Sequence, residues 1–108
     1  MSTAEKYFLA VIEEIPDAKP GKMFGALCAK MPNNKAAAMF WKDNIVVKLD
    51  EEALKEASSL PGSRPFEPME GRPMREWIQI PYKYHKLWQK YANISADIVR
   101  RLEKKKGK

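Results

Sequence analysis

Residues 37–49 read Ala-Ala-Met-Phe-Trp-Lys-Asp-Asn-Ile-Val-Val-Lys-Leu, two apolar runs parted by a polar pair. The first run, Ala37 to Lys42, ends on bulky aromatics, and the second, Ile45 to Leu49, is β-branched, so both read as strands. Asp43-Asn44 between them tolerates the positive φ of a two-residue hairpin turn. Strands joined so tightly pair antiparallel. Alternation then puts Met39 and Trp41 on one side and Ala38 and Phe40 on the other. A sheet apolar on both faces has something packed on both. This hairpin therefore decides the architecture and raises the functional question of what covers each side.

Upstream of it, Ser2 and Glu5 have capping-box spacing, and Tyr7, Phe8, Val11, Ile12 and Ile15 recur at helical spacing. Pro16 ends that helix and Asp17 to Gly21 is a turn. Lys22 to Lys30 reads as a strand in which Gly25 marks a bulge or a close backbone approach, followed by a connection through Pro32, Asn33 and Asn34. Downstream, Asp50 is a good N-cap, and Glu51 and Glu52 suit the positive end of a helix carrying Leu54 and Ala57 and ending near Ser59. Phe66 to Met69 and Met74 to Ile80 are strands joined at Glu70-Gly71. After Pro81, Tyr84, Leu87, Trp88 and Tyr91 share a helical face that continues through Ile94 or Ser95, Ile98 and Leu102. Asn93 leaves open whether this is one helix or two.

The order is α-β-β-β-α-β-β-α. It predicts an α+β, two-layer domain over residues 1–108, with a five-stranded antiparallel sheet and helices on one face. If the helices lie on one face, the other carries aromatic groups such as Trp77, next to Arg75 and Gln79 on its strand. Two readings stand: an exposed aromatic patch of the kind that marks an interaction site, or cover from the last helix and the loops.

With 108 residues the chain can bury roughly two-thirds of its unfolded surface and needs no disulfide or metal to hold it. Its single cysteine, Cys28, excludes an internal disulfide and fits a reducing compartment. No run approaches the ~20 apolar residues of a membrane span, and Met1 to Lys6 lacks the order of a signal peptide. The cytoplasm is the expected location. The formal charge of +6 is unevenly placed: residues 1–82 hold 11 basic and 12 acidic side chains, and residues 83–108 hold 9 basic and 2 acidic. The imbalance is thus confined to the last helix and a basic tail over residues 103–108 that is expected to be disordered. Lys83, Lys86, Lys90, Arg100, Arg101, Lys104 and Lys105 are the candidate contacts if that end binds nucleic acid, weakly and without sequence preference. The plainer reading is a solvated, solubilising end.

Candidate chemistry is sparse. His85 is the one histidine and has no carboxylate at ligand spacing, so no metal site is expected. Cys28 sits between Leu27 and Ala29 as a small buried hydrophobe, and a Cys28–His85 pair has no supporting motif. The five glycines are isolated and form no phosphate loop. No catalytic residue and no cofactor are expected.

Three segments carry a family likeness. Lys22-Met23-Phe24-Gly25 comes first, then Asp43-Asn44-Ile45-Val46-Val47-Lys48, then Gly71-Arg72-Pro73-Met74 with Trp77, preceded by Arg64-Pro65-Phe66. In this order and spacing they resemble the TfoX/Sxy N-terminal domain family over about residues 5–102. The resemblance implies an α-β3-α-β2-α two-layer fold similar to secretion chaperones. It also implies a role beside a transcription factor, as in the competence regulators, without their helical C-terminal domain. It supplies no catalytic residues, and Ala26 stands where relatives usually carry a second glycine. The expectation is a non-enzymatic protein-interaction domain, binding a protein partner or a second copy through Phe24, Trp41, Arg75 and Trp77.

Overall fold

The β3–β4 hairpin forms where the sequence places it, Ala36–Trp41 paired antiparallel with Asn44–Lys48. Its turn lies one residue earlier than expected. Lys42 and Asp43 hold the two positive φ angles, 48° and 64°, and Asn44 belongs to the strand. The Asn44 amide group explains the shift: its Nδ2 donates to the carbonyls of Trp41 at 3.0 Å and Lys42 at 3.1 Å, fastening the turn from its exit.

In the computed structural model of the protein the described residues are 2–23, 25–69 and 72–101, of which 23, 67–69 and 72–76 are described by backbone alone. Helix α1 (Thr3–Glu13) is followed by β1 (Lys19–Met23), β2 (Ala26–Lys30), β3 and β4. Helix α2 (Glu51–Ser58) leads to β5 (Arg64–Met69), β6 (Arg72–Pro81), a 3-10 turn (Tyr82–Tyr84) and α3 (His85–Arg101). The sheet has six antiparallel strands in the order β1-β2-β3-β4-β6-β5, with the three helices packed against it. The α+β class and the antiparallel sheet therefore stand, and the expected five strands and α-β3-α-β2-α order are corrected. The single strand read over Lys22 to Lys30 is a hairpin, turning at Gly25 with φ 76° and pairing Lys19 with Lys30. Pro20 and Gly21 made this stretch look like a turn. β1 is an edge strand, where a missing N–H is tolerated.

Both predicted N-caps form. Ser2 accepts from the Glu5 amide at 3.1 Å and Asp50 from the Ala53 amide at 2.9 Å. Helix α3 is continuous through Asn93, whose Oδ1 accepts from Gln89 one turn earlier. Its buried stripe is Trp88, Tyr91, Ala92, Ser95, Ala96 and Val99, rotated from the expected line through Ile98. The reason lies on the sheet, where α3 crosses β3 at Ala37 and Ala38 and small residues let the backbones come close. β3 carries one extra residue there, since Ala29 pairs with Ala38 and Lys30 with Ala36. The Ser95 hydroxyl takes the place of the lost rung, donating to the Ala37 carbonyl at 2.5 Å and accepting from the Lys48 amide at 2.9 Å.

The main core lies between helices and sheet, built on Phe8, Ile12, Ile45, Val47, Ile78, Ile80, Trp88 and Tyr91. A second, smaller core lies on the other side of the sheet. Among the described residues no helix is long and apolar enough to cross a membrane.

Candidate interaction surface

Strand register orders the helix-free face into rows. The middle row runs Gly21, Cys28, Met39, Val46, Gln79 and Arg64 across all six strands. On one side of it Trp41 pairs with Asn44 and Asn44 with Pro81. On the other side Lys19 pairs with Lys30, Lys30 with Ala36, and Lys48 with Trp77.

This face is partly closed, by the sheet itself and not by helices. Cys28, Ala36, Met39, Val46 and Phe66 are buried together on it, with Trp41 and Trp77 packed against them. The Phe66 ring on β5 meets the Trp41 ring on β3 edge-on at 5.7 Å, across the two intervening strands. Register breaks on either side of Phe66 bend and twist the edge strand enough to bring it back over the face. Of the two readings the sequence left open, the exposed patch is therefore reduced to a rim around a small core, and the residues of that core come from the strands. Trp41 and Trp77 are half-buried on that rim, four residues apart along β4, roughly 13 Å. Each ring has an ammonium over it, Lys42 Nζ at 5.5 Å from Trp41 and Lys48 Nζ at 5.9 Å from Trp77.

Of the four residues expected on the surface, the structure thus brings Trp41 and Trp77 to one face. Phe24 lies outside the described residues, as does the side chain of Arg75. Sequence reasoning missed Phe66, because a strand residue reaching over its own sheet leaves no periodic signal. It also missed the lysine row, since alternation could not be carried across a hairpin read as a single strand.

The basic residues of α3 are differently placed. Lys90 pairs with Glu56 at 3.4 Å, and Arg100 is held by Asp97 at 2.6 Å and Asp17 at 3.3 Å. Arg100 Nη2 also donates to the Pro16 carbonyl at 3.4 Å, clasping the end of α1. Lys83 lies over the Tyr84 ring at 5.3 Å, and Lys86 and Arg101 are exposed. Lys104 and Lys105, with the rest of the tail, lie outside the described residues.

Cys28 and His85 lie on opposite sides of the sheet. The thiol is in the second core, where burial pushes its pKa up against the opposing pull of the Lys30 charge, so it stays protonated near neutral pH. His85 stacks on Tyr82 at 4.6 Å, meets Tyr7 edge-on at 5.0 Å, and places Nδ1 3.0 Å from the Tyr82 carbonyl. That is the packing of a structural histidine at the start of α3. Among the described residues no three His, Cys, Asp or Glu side chains converge to hold a metal ion. No protein-family model, curated protein or solved structure matches this chain.

Proposed function

We propose that the protein is a non-enzymatic protein-interaction module of the cytoplasm that takes a partner on the helix-free face of its sheet. The observation that carries this reading is the pair Trp41 and Trp77, half-buried at the two ends of β4 on a core already formed beneath them. Indole rings held by their own chain lose little freedom when a partner covers them, and such aromatic anchors dominate interface energetics. The face, not the edges, is the better surface. The edge strands carry Pro20 and Pro65, which remove ladder donors and discourage strand addition. The cationic rim weighs against a second copy as the occupant, because a two-fold contact would set one cationic face against another. The likeness to the TfoX/Sxy N-terminal domain extends the reading to an accessory role in transcriptional regulation.

The test is photo-crosslinking in cells from benzoylphenylalanine incorporated at position 77, with position 90 on α3 as the comparison. A discrete adduct at position 77, absent at position 90 and weakened by Trp41→Ala, is the expected result. Adducts from position 90 alone would overturn the reading.

The charge segregation supports a second reading, weak nucleic-acid binding by α3 and the residues beyond it, because residues 83–108 hold 9 basic and 2 acidic side chains. The ion pairs of Lys90 and Arg100 reduce the charge available for it. It predicts binding to single- or double-stranded oligonucleotides that falls steeply with salt and is lost on truncation after Val99. No retention at low salt removes it.

A further inference from the structure

We infer that the partner presents an acidic, partly apolar peptide segment to this face, an inference that rests on the interaction reading above and names the chemistry of its partner. The first observation is a charge conflict within the sheet. Lys19 on β1 lies directly opposite Lys30 on β2, on the face away from the helices. Like charges so placed are destabilising in a sheet. The pair therefore acts against the fold and in favour of an anion that neutralises both.

The second observation is that Lys30 is positioned. A Cβ at Gly21 would meet Lys30 Cδ at 3.2 Å and Cβ at 3.4 Å, so the absent side chain of residue 21 is the slot in which the Lys30 stem lies. Lys19 and Lys30 then line a hollow of about 350 Å³ together with Pro20, Met31, Pro32 and Asn34. Asp17, also at this hollow, is taken up by Arg100.

The third observation is the sign of the whole face. Lys19, Lys30 and Arg64 occupy strand positions on it, and Lys42 extends it at the β3–β4 turn. Among the residues whose side chains are described, no strand position on this face holds a carboxylate, and Asp43 borders it in the turn. Charge complementarity selects an anionic occupant. Between an acidic peptide and a single-stranded nucleic acid, the rings decide. Trp41 and Trp77 pack on the second core, Trp41 meets Phe66 edge-on, and each ring has a lysine of its own chain over it, an arrangement better suited to carboxylates and apolar side chains than to a stack of bases. Carboxylates pair with the ammonium groups, and apolar side chains between them cover the exposed parts of the two half-buried rings.

The experiment uses the purified protein and three probes: a short synthetic peptide alternating Glu with Leu, its Gln–Leu counterpart, and single-stranded oligo-dT. The Glu peptide is expected to bind about tenfold more tightly than the Gln peptide, and Lys19→Glu or Lys30→Glu to weaken it about tenfold. Lys19→Glu is also expected to raise Tm, since it turns a repelling cross-strand pair into an attracting one. Equal binding of the two peptides, weakened in both by Trp77→Ala, would overturn the acidic inference and leave the interaction surface standing. Oligo-dT binding more tightly than the Glu peptide would overturn it in favour of nucleic acid. Binding of neither peptide would overturn it as well, and crosslinking from position 77 would then judge the interaction reading separately.

Discussion

Ser95 joins three elements through one hydroxyl. It bridges the Lys48 amide and the Ala37 carbonyl at the site where the extra residue in β3 breaks the ladder. Ser95→Ala leaves these backbone groups without that bridge beneath a packed helix, and the expected loss is about 2 kcal/mol by chemical denaturation. A loss below about 0.5 kcal/mol would show that the groups find other partners. In the β3–β4 turn the strain runs the other way. Asp43 sits at φ 64° although only glycine adopts that region at no steric cost, so Asp43→Gly is expected to stabilise by about 0.5–1 kcal/mol, read as a raised denaturation midpoint. Tyr91 supplies a pH dependence. Burial, and then the hydrogen bond to Glu56 and its charge, push the phenol up to about 12 from an ordinary value near 10. Between these values the unfolded chain releases a proton that the folded chain keeps. Stability is thus fully present below about pH 10 and falls as pH rises towards 12, and Tyr91→Phe is expected to flatten that part of the stability–pH curve.

Among the elements, α3 carries the largest share of the core. Its inward face puts Ala92 and Ala96 into the same core as the alanines of β3, and bulk is supplied at its first turns by Trp88 and Tyr91. Ala92→Leu inserts side-chain volume at a fully buried position of the core, and a destabilisation of about 1–3 kcal/mol is expected from thermal or urea unfolding. An exposed site on the same helix, such as Lys86→Ala, should change stability by less than about 0.5 kcal/mol. Helix ends were legible from local chemistry, because Ser2 and Asp50 cap through bonds to residues three positions on. The stripe of α3 was legible at Trp88 and Tyr91, and Ser95 was one of the two positions the spacing left open. Further along, the spacing favoured Ile98, whereas the structure buries Val99, one position round the helix.

The whole molecule is a curled sheet with unlike sides, a large core under the helices and a small one under its own edge strand. That asymmetry separates the chemistry as well. Cys28 and His85 are kept apart by the sheet, and Trp41 and Trp77 stand with lysines on the side the helices leave free. Two of the four residues expected at the interaction surface, Trp41 and Trp77, do share that face, because period-two alternation within a well-marked strand is a local property. The lysines of β1 and β2 were not legible there, since their shared side depends on a hairpin at Gly25 that the apolar pattern does not mark.

The sequence alone determined the α+β class, the β3–β4 pairing, the three helices and the side of the strand that Trp41 and Trp77 each take. These depend on contacts between residues close in the chain. Strand number, the rotation of α3 and the closing of Phe66 over the second core were decided only by tertiary structure. They depend on which distant surfaces meet, and an edge proline, a bulge or a row of alanines has no meaning until its neighbour across the fold is in place.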